Sequence, residues 1–245
     1  MFAYDRDVAE RYPGIRAGLV HATGLANGPT SPELLDEYRA GQRVASERLS
    51  ATALADLPSI VAWRRAFTAF GAKPTQYRNA AEALLRRLDK HGDIPSISTL
   101  VDLGNLVSIR YAMPVAVFDQ RAVTGGTAVR FADGSERFTD LGSDTAVNPA
   151  AGEVVFVDEA GLVSARRWCW RQSDGSAARD DTTEVLVTVE GHHEDAASDV
   201  AAAVADLVAL LGAHARPETL AAAILGPGAP SFAPPASAAG DARGS

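Results

Sequence analysis

The sequence predicts an α+β domain of mixed α/β character, with a central mixed or antiparallel β-sheet flanked by helices. Three observations lead there. The predicted elements run strand, helices, many strands, helices, without the regular interleaving that a doubly wound dinucleotide fold requires. Hydrophobic residues make up 47% and charged residues 22%, the composition of a globular chain that can bury a core without a disulfide or metal staple. A length of 245 residues is long for one domain and short for two, so a single domain over residues 1–225 is expected. Residues 226–245 are mostly Pro, Ala, Gly and Ser and are expected to form a disordered tail.

Gly14 to Val20 reads as a strand, with glycines close by. Ser31-Pro32-Glu33 is a helix start: an N-cap, a proline at the first helical position and an acid in the first turn. The helix it opens carries Leu34, Leu35, Tyr38 and Val44 and is expected to run to about Ser46. A second helix begins near Pro58, presents Ile60, Val61, Trp63, Phe67 and Phe70 at helical spacing, and stops at Gly71. A third, from about Gln76 to His91, ends at Gly92. A fourth follows Pro95, carries Ile97, Leu100, Val101, Leu103 and Val107, and ends before Met113-Pro114.

The character then changes. Val115–Asp119, Ala128–Ala132, Glu136–Leu141, Val154–Asp158, Leu162–Trp170 and Glu184–Glu190 read as strands, with turns at Asp133-Gly134 and Glu159-Ala160-Gly161. An Ala-rich amphipathic helix is expected from about Asp195 to Leu211, then a short helix near Pro217 to Leu225.

Composition excludes several functions. The net charge of −8 argues against a generally basic protein that coats nucleic acid. The single cysteine, Cys169, cannot form an intramolecular disulfide or a cysteine-based zinc site and points to a reducing compartment. No apolar run suggests a membrane span of about 20 residues. Charged residues throughout Met1–Tyr12 leave no apolar core for a signal peptide, so a cytoplasmic location is expected. No metal or cofactor is expected either. The five histidines form no helical ligand pair, and there is no phosphate loop, no dinucleotide glycine motif and no nucleophile elbow.

Two regions carry chemistry. Between Ile60 and His91, Arg64, Arg65, Lys73, Arg78, Arg86, Arg87 and Lys90 oppose only Glu82 and Asp89, a local charge of +5. This is either a solvated helix face or a patch for a nucleic acid backbone, with Arg64, Arg65, Lys73, Arg86 and Arg87 as the RNA-contacting set. The second region is Arg166-Arg167-Trp168-Cys169-Trp170-Arg171-Gln172-Ser173. On a strand, both tryptophans share one face and Cys169 takes the other. Trp and Arg together offer stacking planes and hydrogen-bond forks for an aromatic or carboxylated ligand, or else a core tryptophan pair with snorkelling arginines.

Ile97 to Asp119 resembles a stretch of the bacterial phenylalanyl-tRNA synthetase β subunit that reads roughly N-x-V-V-D-x-x-N-Y-V-x-x-E-x-G-Q-P-x-H-A-F-D. Val101, Asp102, Asn105, Val107, Pro114, Phe118 and Asp119 fall at the shared positions. That stretch belongs to the B3/B4 domain. Free-standing B3/B4 proteins resemble this chain more closely, with an R-R-W-x-W-R-Q-S segment like Arg166–Ser173 and a run like Asp181-Thr182-Thr183. The resemblance covers about residues 17–191. It implies a mixed α/β domain that in the synthetase holds the editing site, where tyrosine esterified to the phenylalanine tRNA is hydrolysed. Two departures stand out: Ala116 replaces a histidine, and the loop expected to carry an editing glutamate, about Trp168–Gly175, holds Asp174 but no Glu.

The resemblance implies a trans-acting deacylase of misacylated tRNA, binding the 3′ acceptor end, with no membrane or DNA partner. Asn105 and Ser108 on one helix, Trp168, Trp170, Arg171, Gln172 and Ser173 on the opposite wall, and Tyr77, Arg78 and Asn79 at the start of the basic helix are the expected substrate-binding residues. The alternatives are a non-catalytic module for an amino acid, an aminoacyl-tRNA end or a related small metabolite, and a metabolic enzyme that reuses the pocket. The length and the absence of class I or class II synthetase signature motifs exclude a complete ligase.

Overall fold

Helix caps decide where several elements of the computed structural model begin; it describes residues 1–234. Ahead of the first expected strand lie β1 (Phe2–Tyr4) and α1 (Arg6–Arg11), the latter capped by the Asp5 carboxylate, which accepts from the Asp7 N–H. Then come β2 (Arg16–Thr23) and α2 (Pro32–Ala51), whose cap is the Ser31 hydroxyl accepting from the Leu34 N–H at 3.3 Å. Two further helices are α3 (Pro58–Ala69) and α4 (Ala80–His91). α4 begins at Ala80 rather than Gln76, because Asn79 holds extended backbone angles and caps the Glu82 N–H at 2.9 Å. Gly92, at φ 78°, ends it.

α5 (Thr99–Tyr111) also starts later than its apolar pattern suggests. The buried Asp102 carboxylate accepts from Thr30 Oγ1 at 2.6 Å, from the Ile97 N–H at 2.9 Å and from the Ser96 hydroxyl. That knot keeps Ile97 in the preceding loop, where it is exposed instead of core. Val44 of α2 is exposed for a different reason. The buried stripe runs Leu34, Tyr38, Gln42, Ala45, and Gln42 exchanges hydrogen bonds with the backbone of Ile94 at 3.0 and 2.8 Å.

The strand-rich half contains β3 (Val115–Asp119), β4 (Thr127–Phe131), β5 (Phe138–Thr139), β6 (Ala146–Val147), β7 (Val154–Asp158), β8 (Val163–Arg166), β9 (Arg171–Gln172) and β10 (Glu184–Gly191). α6 (Ala196–His214), β11 (Thr219–Leu225) and β12 (Ser231–Phe232) complete it. Three expectations are corrected. Of Glu136–Leu141, only Phe138 and Thr139 are strand, since the Glu136 carboxylate caps the turn through the N–H groups of Asp133 and Gly134. Leu162–Trp170 is no continuous strand: β8 ends at Arg166, and Arg167 (φ 43°) and Trp168 (φ 60°) take left-handed angles that turn the chain. Of Pro217–Leu225, Thr219–Leu225 is a strand instead of a helix, because these residues complete the edge of β2 over seven paired positions, overriding the helix propensity of alanine.

The expected central sheet is two main sheets. One is four-stranded and antiparallel, in the order β11-β2-β10-β3; the other is six-stranded, β12-β1-β4-β7-β8-β9, with only β1–β4 parallel. β5 and β6 make a separate pair. β2 and β10 are buried along almost their whole length because both faces are covered. One face carries a core shared with α2, α4, α5 and α6; the other meets the aromatic core of Phe2, Tyr4, Trp63, Phe67, Phe156 and Trp168. The fold is thus mixed α/β with mixed parallel and antiparallel pairing. Part of the expected tail is ordered too: Ser231 and Phe232 pair with β1, while residues 235–245 lie outside the described residues.

α6 is long and apolar enough to cross a membrane by composition, but it is a core helix, packed on β2, β10 and α5. Gly18 sets how closely it sits. A Cβ there would fall 2.2 Å from Val204 Cγ2 and 2.8 Å from Val189 Cγ1, both branched and enclosed. Gly18→Val is therefore expected to destabilise the protein by about 1–3 kcal/mol through overpacking, read as a lower urea midpoint with an unchanged slope.

Candidate functional site

A single cleft gathers residues from both sheets. The antiparallel pairing of β3 with β10 sets Ala116 opposite Thr188. Thr188 and Glu190 lie two apart on β10 and so share a face, which looks toward Phe118, Phe156, Ala165 and the turn at Trp168–Trp170. β9 adds Arg171 and Gln172, and α4 approaches through Ala80, whose N–H donates to the Cys169 carbonyl at 2.9 Å. These walls enclose a small cavity of about 60 Å³, open to solvent at the mouth. Most of the lining is apolar or aromatic, with a few placed polar groups, as in small-ligand sites generally.

The floor is a carboxyl group. Glu190 is 2% exposed and accepts from the Tyr4 hydroxyl and from Trp168 Nε1, the latter at 2.8 Å. Both donors converge on Oε1, leaving Oε2 without a partner among the described residues. Burial pushes the carboxyl up to about 7, and the two hydrogen bonds oppose that rise only in part. Burial and the neighbouring Glu190 also raise the Tyr4 hydroxyl and the Cys169 thiol, so Cys169 is a poor nucleophile. Behind Trp168, His192 meets the rings of Trp63, Trp168 and Tyr12 edge-on at 4.5, 4.9 and 5.9 Å. Burial, with a smaller push from His193, lowers its imidazole to about 3, so it is neutral in the fold.

The rim is built from stacked planes. Arg167 lies 4.0 Å from the Tyr77 ring centre and 4.7 Å from that of Trp170, while Tyr77 and Trp170 meet edge-on at 5.0 Å. Glu153 anchors this layer, accepting from Arg166 at 2.8 and 3.0 Å and lying 3.6 Å from Arg167. Arg171 covers Trp170 at 4.9 Å and pairs with Asp140 at 2.9 Å. Gln172 donates to the Val117 and Ser176 carbonyls at 2.7 and 3.0 Å, which occupies both amide hydrogens.

The structure therefore brings together Trp168, Trp170, Arg171 and Gln172, with Tyr77 supporting the rim. Trp168 and Trp170 arrive there through a turn, not by strand alternation: Trp168 is fully buried, and Trp170 forms the mouth. The other expected contacts are placed elsewhere. Asn79 is a buried helix cap. Ser108 donates to the Met113 carbonyl at 2.8 Å, closing the end of α5. Asn105 sits beside the Tyr38 hydroxyl of α2. Ser173 is buried and accepts from the Gly175 N–H at 3.3 Å. Asp174 pairs with Arg179 at 2.7 Å.

The basic stretch is divided among several places. Arg64 and Arg78 converge on the buried Glu82 at 2.7 and 3.6 Å. Arg65 lines a wide groove with Arg11, Asp56, His193 and Glu194. Arg86 and Arg87 border a depression near the end of α4 with Lys90 and His91, and Lys73 is exposed between α3 and α4.

Sequence reasoning missed Glu190, Thr188, Phe156 and Tyr4. One signal was available: Thr188 and Glu190 are polar at alternate positions of a strand whose other alternate residues are Val185, Val187 and Val189. Two same-face polar residues on a doubly buried strand point into a cavity.

A family model of the B3/4 domain matches residues 62–204. The phenylalanine–tRNA ligase β subunits of Neisseria gonorrhoeae (strain ATCC 700825 / FA 1090) and Neisseria meningitidis serogroup B (strain ATCC BAA-335 / MC58) are 39% and 37% identical to this chain over 79 residues. The matched stretch is 32% of this chain and 10% of each β subunit. Among solved structures, an N-terminal fragment of the phenylalanyl-tRNA synthetase β-subunit from Pyrococcus horikoshii aligns with a TM-score of 0.47 at 11% identity, covering 87% of this chain and 48% of that one.

Proposed function

Because the chain belongs to the B3/4 domain family, we propose that it recognises the 3′ end of aminoacyl-tRNA in the cytoplasm and hydrolyses misacylated tRNA in trans. The observation that carries this reading is the small, mostly apolar cleft that ends on Glu190, walled by Phe118, Phe156, Trp168 and Trp170. A polynucleotide cannot enter such a space. The side chain of the bound amino acid therefore goes down and the ester stays at the mouth, beside Ala116, Trp170, Arg171 and Gln172. Glu190 then acts as a recognition group at depth, with Oε2 facing a polar group of the ligand. In the hydrolytic step, water adds to the ester carbonyl, the bond to the ribose oxygen breaks, and that oxygen takes up a proton. An aminoacyl ester is already activated, so positioning and oxyanion donors matter more than a strong base. Lys73, Arg65, Arg86 and Arg87 carry no ion pair among the described residues and are the groups free to meet RNA phosphates.

One observation favours a second reading, a non-catalytic binding module. Ala116 leaves no imidazole at the mouth, and both donors of Gln172 are occupied by backbone carbonyls. Incubating the protein with a panel of correctly and incorrectly charged tRNAs separates the two. The proposal expects accelerated loss of at least one misacylated amino acid, reduced by Trp170→Ala. Unchanged ester lifetimes across the whole panel, together with measurable binding of aminoacyl-tRNA, establish the binding module instead.

A further inference from the structure

Sheet edges are where this fold is least uniform. β9 and β12, which end the six-stranded sheet, are two residues each. β3, one edge of the four-stranded sheet, is covered by the loop before β10: the Asp119 N–H donates to the Ser176 carbonyl at 3.0 Å, and Phe118 bridges to Ala177. The remaining edge, β11, has none of these protections. It pairs with β2 in unbroken register over seven residues, Thr-Leu-Ala-Ala-Ala-Ile-Leu, with no charge, no proline and no bulge. Among the described residues nothing pairs with its outer side. A long, regular, uncharged edge is a template for another strand.

We propose that β11 pairs antiparallel with β11 of a second copy, joining two four-stranded sheets into one eight-stranded sheet about a two-fold axis at Ala222. The sequence is self-complementary in that register. Leu220 falls opposite the partner's Ile224 on the face that carries α6, and Ala221 falls opposite the partner's Ala223 on the other. Ile224 is 43% exposed, and this pairing covers it with an aliphatic neighbour. The small alanines between them let the backbones approach without a clash.

Charge fixes the same register. Glu218 precedes β11 and is set opposite the partner's Gly226. Over Gly226 of each copy lies Arg16, its Cδ 3.3 Å and Nη1 3.7 Å from where a Cβ would stand. Arg16 donates only to the Pro13 and Ile15 carbonyls, and neither Arg16 nor Glu218 has an ion pair among the described residues. The two-fold axis brings each Glu218 toward the partner's Arg16, twice per dimer.

Sedimentation equilibrium of the full chain tests this, with thermal melts confirming that each variant is folded. The wild type is expected to show a monomer–dimer equilibrium. Glu218→Arg should raise the dissociation constant on the order of tenfold, since it turns two attractive pairs into repulsive ones. Adding Arg16→Glu should restore dimerisation. Ile224→Lys should give a folded monomer, because a lysine on the edge blocks strand pairing. A wild type that stays monomeric at every concentration overturns the proposal. So does a dimer that is indifferent to both Glu218→Arg and Ile224→Lys.

Discussion

Trp168→Ala is expected to lower the stability of the fold by about 3–5 kcal/mol, the range for removing a buried aromatic side chain and leaving a cavity. The indole has no exposed surface and is ringed by Tyr12 at 5.0 Å, Trp63 at 5.3 Å, Phe70 at 6.4 Å, Tyr4 at 6.5 Å and His192 at 4.9 Å. Neighbours from β1, α3 and the loop before α6 cannot all collapse into its place. The side chain also donates to Glu190, so its loss leaves the buried carboxyl with Tyr4 alone. Trp168→Phe separates the two effects. It keeps an aromatic ring in the core but removes the N–H, and is expected to cost about 1–3 kcal/mol. Losing a donor that stabilises the anion also drives the Glu190 carboxyl further up. Urea unfolding of both variants measures the stabilities, and a Trp168→Ala change of under 1 kcal/mol would show that the ring cluster is not a core.

A second large effect is in the pH dependence. The Glu190 carboxyl titrates near 4.5 when unfolded and is raised to about 7 by burial in the fold. The folded state therefore holds a proton that the unfolded state has released across this window. Stability from this group is present below pH 4.5 and falls as pH rises to about 7, by about 3 kcal/mol in all. His192 acts in the opposite sense: lowered to about 3 by burial, it costs stability as pH falls from 6.5 toward 3. The two slopes overlap, so the wild-type curve alone does not separate them. Glu190→Gln does. The amide keeps an acceptor for Tyr4 and Trp168 but cannot ionise, so the variant should match the wild type near pH 4 and exceed its stability by about 3 kcal/mol at pH 8. A difference that is flat with pH would mean that the Glu190 carboxyl titrates alike in the folded and the unfolded chain.

Glu190 also shows why the site was only half legible in sequence. Trp170, Arg171 and Gln172 were found because a dense run of Trp and Arg is unusual in any local context. Asn79 and Ser108 looked equally chemical, yet one caps α4 and the other closes α5. Polar residues at helix ends satisfy backbone groups first, and local sequence does not say which polar residue has a free atom left. The basic stretch fails in the same way. Its charge of +5 is real, but Glu82, buried between α3 and α4, takes Arg64 and Arg78, while Arg65 on α3 and Arg86–Arg87 on α4 line separate surface depressions.

The sequence by itself determined the helices with clear caps and breakers, the strands from Val115 onward that carry β-branched runs, and the mixed α/β class. These depend on periodicity and on local backbone chemistry, which a single chain displays openly. Tertiary structure alone decided the rest. The segment after α6 became a strand because β2 offered it a free edge, although its alanines favour a helix. One expected sheet became two because β2 and β10 must cover both faces. Trp168 left the strand pattern because a left-handed turn carried it into the core. An acid about 70 Å of extended chain away from that turn, by roughly 3.3 Å per residue, became the floor of the cleft only when β10 and the turn were packed together.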